Sequence, residues 1–106
     1  MKLYDACSVI RSKNAGPFKL TCDLFFTSER TFTAAKSSGV ITVPRIAELF
    51  AVSTEQVTVL EFLDRALALK ISLVTNTASG DQGSRDIYGS QQAAVLFDLD
   101  IPVDAA

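Results

Sequence analysis

The chain has 106 residues, of which 48% are hydrophobic and 21% charged, and its formal net charge is −2. That length suits a single domain that folds without disulfides or metals, no apolar run approaches the ~20 residues a bilayer needs, and a weakly acidic chain has no long-range positive field to gather nucleic acid or anionic lipid. Histidine is absent, which excludes Ser-His-Asp triads, Cys-His pairs and His-ligated metals, so neither a metal nor another cofactor is expected.

The opening MKLYDACSVIRS lacks the continuous apolar stretch and cleavage site of a secretory signal, which makes the cytoplasm the expected compartment. Leu3 to Ile10 alternates and reads as a strand, with Leu3, Cys7 and Val9 on one face and Tyr4, Ala6 and Ile10 on the other. Lys19 to Phe26 repeats the pattern, with Leu20, Cys22, Leu24 and Phe26 against Thr21, Asp23 and Phe25. Pairing the two about the midpoint of the segment between them puts Cys7 opposite Cys22, Leu20 opposite Val9 and Phe26 opposite Leu3, a face that is consistently apolar except for Asp5. Opposed cysteines lie within disulfide reach, although a reducing compartment favours two buried free thiols.

Between these strands lies RSKNAGPF, Arg11 to Phe18, longer than the loops of tight hairpins. Arg11 can grip a carboxylate or phosphate with two parallel bonds, Lys13 adds a point charge, and Gly16 permits backbone N–H groups to converge on an anion. The same composition also serves a solvated turn, and the residues alone leave the two readings open.

Thr27 or Ser28 can cap a helix running to about Ser38, with Gly39 at its left-handed end. Thr42 caps a second helix, with Pro44 in the first turn and Ile46, Ala47, Leu49 and Phe50 as its apolar stripe. After it, Ser53 and Gln56 form a capping-box pattern that favours a helix, whereas β-branched content and the alternation of Leu67, Leu69, Ile71 and Leu73 favour strands. The reading taken is two strands, 57–63 and 66–75. IAELFAVSTEQV also has the look of a helix-turn-helix, but a recognition helix must offer cations or amides to base edges, and Gln56 here is flanked by Glu55 and Glu61. No nucleic-acid partner is expected.

Thr75 to Gln92 is a long polar segment in which Asp86, Tyr88, Gln91 and Gln92 have the chemistry to hydrogen-bond a polar ligand. A strand from Ala93 to Ile101 closes the chain. These elements predict one α+β domain over 1–106, an antiparallel sheet with two short helices on one face, of which a ferredoxin-like sandwich is the nearest plan. Two short helices cover one side of a sheet, so another chain is expected on the second.

Taken together, LYDACSVIRSKNAGPF, SSGVITVPRIAELF and DIYGSQQAAVLFDLDIP resemble a small bacterial family known as domain of unknown function 4387. The likeness spans nearly the whole chain, and its most specific pieces are the R-S-K-N-A-G-P-F segment and the Y-G-x-Q-Q run. The family is similar in plan to the C-terminal region of acyclic terpene utilisation proteins, beside which its members often occur. The resemblance implies a companion subunit of such a large protein, in a lyase- or hydratase-like catabolic complex acting on a small anionic metabolite, with no reaction settled. It carries a ligand-binding role to Arg11, Ser12, Lys13, Asn14, Gly16, Tyr88, Gln91 and Gln92, and Asp86 lies beside them. One departure is that Ala93, Ala94 and Val95 stand where the family commonly has H-A-P. The alternative is a module that associates with itself and binds a carboxylate without catalysis.

Overall fold

The structure is a computed structural model that describes residues 1–14, 18–75 and 93–102. In chain order it forms a short helix α1 (Leu3–Ala6), strands β1 (Cys7–Asn14) and β2 (Lys19–Phe26), helices α2 (Glu29–Ser38) and α3 (Val43–Phe50), and strands β3 (Val57–Leu63) and β4 (Ala68–Val74). The strands make one antiparallel sheet in the order β1-β2-β4-β3. This is an α+β fold, compatible with a ferredoxin-like layer plan.

Local chemistry places the helices where the sequence indicates. The Ser28 hydroxyl accepts from the Thr31 N–H at 3.2 Å while the Thr31 hydroxyl accepts from the Ser28 N–H, and Gly39 ends α2 at φ 77°. The Thr42 hydroxyl accepts from the Arg45 N–H, Pro44 lies in the first turn of α3, and Ala51 closes that helix in the left-handed region at φ 58°. The capping box at Ser53 and Gln56 forms but closes only a 3₁₀ turn, Thr54–Gln56, after which the β-branched residues take over as β3.

One sheet face is packed. Leu20, Cys22, Leu24 and Phe26 of β2 and Leu69, Ile71 and Leu73 of β4 are buried with Phe32 and Ala35 of α2 and Ile46 and Ala47 of α3. Phe32 stands edge-on to both Phe26 and Phe62, at 5.7 and 5.8 Å between ring centroids.

Three expectations about the chain's edges are corrected. Leu3 to Ala6 is a helical turn, so β1 starts at Cys7 and runs on through Arg11, Ser12, Lys13 and Asn14. The pairing is displaced accordingly: Cys7 opposes Phe26, Cys22 opposes Ser12, and Val9 opposes Phe25. A bulge at Ser8 takes up one residue and turns Val9 to the open face and Ile10 to the core, the reverse of the predicted alternation. Finally, the expected strand 93–101 is a 3₁₀ turn, Ala93–Leu96, followed by a single bridge between Lys2 and Asp100. Ala93, Leu96, Leu99 and Ile101 bury their side chains in the core, a spacing no strand face supplies.

Candidate anion- and partner-binding face

The displaced register decides what RSKN can do. Because alternate residues of a strand point to opposite faces, Arg11 and Lys13 share the open face while Ser12 and Asn14 turn to the other. Lys19 of β2 and Lys70 of β4 also lie on the open side, since Lys19 opposes Val74 and Lys70 opposes both Asp23 and Glu61. Four of the chain's ten cations therefore gather on one sheet face, where the register of the described residues places two acids, Asp23 and Glu61. In a protein of net charge −2 this is a local positive surface.

These cations are not equivalent. Arg11 opposes Asp23 and holds its guanidinium carbon 5.2 Å from the centre of the Phe25 ring, so it has both a carboxylate neighbour and an aromatic platform. Lys13 opposes Thr21, whose hydroxyl is 3.1 Å from that of Ser72, and meets no acid across the strand. Lys13 and Lys19, at the hairpin end, are the cations with no opposing carboxylate in the register.

The motif's other half behaves differently. Ser12 lies across from buried Cys22, and its hydroxyl oxygen is buried with no hydrogen-bond partner among the described residues. Such an orphan costs about 1–3 kcal/mol, a cost that a purely structural strand would avoid with an apolar residue. Gly16, Asp86, Tyr88, Gln91 and Gln92 lie outside the described residues.

Beyond the bulge, a groove of about 480 Å³ is lined by Tyr4, Cys7, Ser8, Val9, Ile10 and Phe97. Tyr4, expected on the sheet, instead packs from α1 onto Phe97, with ring centroids 4.8 Å apart. Burial pushes the Cys7 and Cys22 thiols up to about 12, with Asp23 adding to the effect at Cys22, so neither is an activated nucleophile. Among the described residues there is no group of three or more Cys, Asp or Glu able to hold a metal, and no helix long and apolar enough to cross a membrane.

What fold and site define together is a small α+β protein with one sheet face packed by helices and the other, among the described residues, bearing no helix and cationic at one end. A family model described as a domain of unknown function (DUF4387) matches residues 3–100, and the chain belongs to that family. No curated protein and no solved structure matches it.

The sequence reading singles out Arg11 and Lys13 and passes over Lys19 and Lys70, because each of these lies in a strand where a lone lysine looks like ordinary solvent-facing alternation. Only the register of β2 against β4 brings them together, and it joins segments as distant in the chain as Thr21 and Ser72, which are 51 positions apart.

Proposed function

We infer that the protein is a non-catalytic companion subunit, one that binds an acyclic terpene utilisation type protein and contributes the cationic end of its first hairpin to a site for a small carboxylate or acyl anion. The observation that carries this is the gathering of Arg11, Lys13, Lys19 and Lys70 on one sheet face of an acidic chain. Lys13 and Lys19 are the anion-holding pair, since no carboxylate opposes them, and Arg11 flanks them from the next position on the same face. With both thiols held protonated by burial and no histidine in the chain, the described residues offer no thiolate or imidazole at neutral pH, which suits a subunit whose partner supplies the reaction.

The test is affinity co-purification with the acyclic terpene utilisation type protein encoded in the same genome, followed by calorimetric titration of the complex with isovalerate, a short branched carboxylate. Co-elution and saturable binding are expected, and the double change Lys13→Ala, Lys19→Ala should weaken isovalerate binding by about tenfold or more, in a salt-dependent manner, while leaving the fold intact. Binding that is indifferent to both lysines removes the anion site; failure to co-elute removes the companion role.

A further inference from the structure

Across the sheet, the open face is built in rows. Arg11, Asp23, Lys70 and Glu61 stand side by side from β1 to β3 and alternate in sign. The next row toward the β3–β4 turn is Val9, Phe25, Ala68 and Leu63, and the row on the other side is Lys13, Thr21, Ser72 and Val59. The helices and the 3₁₀ turn at Ala93–Leu96 join the core on the other face, while on this one the small Ala68 and Ser72 are buried and Val9 stands out among the larger side chains. Val9 and Val74 are 44% and 39% exposed there, apolar surface that a monomer gains nothing by presenting.

We propose that this face is a two-fold interface with a second copy of the same chain, the two sheets packing face to face. A two-fold axis lying between the sheets, parallel to the strands and midway between β2 and β4, lays β1 over β3 of the second copy and β2 over its β4. The charged row then meets itself in reverse order: Arg11 faces Glu61 of the second copy, and Asp23 faces its Lys70. Every contact in that row joins opposite charges. The same operation lays Phe25 over Ala68, large against small, and Val9 over Leu63, aliphatic against aliphatic, as sheets packed about 10 Å apart allow. The competing axis, running across the strands along the charged row, stacks Arg11 on Arg11 and Asp23 on Asp23, and is excluded by repulsion. The apolar row supplies the attraction and the charged row selects the axis, the usual division of labour at such surfaces.

The inference goes beyond the companion reading and does not depend on it, because the dimer forms whether or not a larger protein is present. It assigns Arg11 to the interface. Lys13 and Lys19 face Val59 and Val74 of the second copy, and keep their charge available for a small anion at the rim.

Sedimentation velocity of the full chain at about 100 µM should show a dimer, in keeping with an interface at the small end of the specific range. Arg11→Glu sets a carboxylate against Glu61 twice in each dimer, and Glu61→Lys sets an ammonium against Arg11 twice, so each variant alone should be a folded monomer, with circular dichroism unchanged and association at least about a hundredfold weaker. Mixing the two variants should restore a heterodimer, because the introduced carboxylate of one chain then meets the introduced ammonium of the other, while the untouched Arg11 and Glu61 meet at the second contact. A monomeric native chain, variants that still self-associate, or a mixture that stays monomeric overturns the proposal. The isovalerate titration above depends on none of these outcomes, so the two readings fail separately.

Discussion

At the level of single residues the displaced register changes what Cys7 and Cys22 can do. Both face the core side, as the alternation implies, but Cys7 opposes Phe26 while Cys22 opposes Ser12, which separates them along the hairpin by about 13 Å, far beyond disulfide reach. The turn does not sit at the centre of the polar segment, because the first half of that segment is strand. Arg, Ser, Lys and Asn tolerate an exposed edge strand as readily as a loop, and composition does not tell the two apart. Both thiols are free, and burial holds both well above the ordinary thiol value, to about 12. A thiol reagent should therefore count two groups in denaturant and react slowly with both in the native protein at about pH 8. The pH dependence follows from the same shift. Below the ordinary thiol value both states carry the protonated form and the stabilisation is fully present; as pH rises toward 12 only the unfolded chain releases protons, and stability is lost. The urea midpoint should fall between about pH 8 and pH 10.5, and a Cys22→Ala variant should show a shallower fall. An unchanged slope would mean that Cys22 is not held in its protonated form by burial.

Among the elements, what was legible is what local chemistry controls. Ser28 and Thr42 cap their helices, β3 and β4 begin and end close to the strands read from their alternation, and β2 spans the residues expected of it. The elements that failed are those held by distant partners: α1 is tied down by Leu3 and Tyr4 donating to the Leu99 and Phe97 carbonyls, contacts invisible in a local pattern. The two helix ends offer a paired prediction. Gly39 and Ala51 both occupy the left-handed region, at φ 77° and 58°, but only one has the residue that region favours. Gly39→Ala meets no atom within 4 Å, so its cost is conformational alone, about 1 kcal/mol. Ala51→Gly removes the same strain and should gain about 0.5–1 kcal/mol, the two shifts having opposite signs in one urea denaturation series. Equal signs would show that packing, not backbone conformation, governs these ends.

For the whole molecule the question is what closes the two ends of the chain upon each other. Backbone hydrogen bonds join them, from the Leu3 and Tyr4 N–H groups and between Met1 and Ile101, and two further kinds of contact add to these. The exposed kind is ionic: Lys2 Nζ lies 3.1 Å from Asp98, and the Met1 ammonium 3.7 Å from Asp100. The hydrogen bond and charge of Asp98 raise the Lys2 pKa, which favours the closed state below the lysine range and fades above it, but the side chain is fully in water and such pairs contribute little. The buried kind is apolar: Leu3, Leu96 and Ile101 are all at most 1% exposed within one core, and each such side chain contributes about 1.5–3 kcal/mol of burial. The apolar contribution is the larger by several-fold, so the residues around Ala93–Leu96 act as a plug held by its side chains, with the Lys2–Asp100 bridge setting only its alignment. The sheet order β1-β2-β4-β3 leaves β1 at an edge, and the core beside that edge is closed by this plug in place of a further strand. Leu96→Ala should therefore cost about 2–4 kcal/mol in urea denaturation, with early loss of amide protection at Leu3 and Tyr4, whose N–H groups donate to that segment. Lys2→Ala should leave the midpoint where it was at any salt concentration. If instead Lys2→Ala destabilises the chain as much as Leu96→Ala, and added salt reproduces its effect, the ends are closed by charge and the plug is incidental.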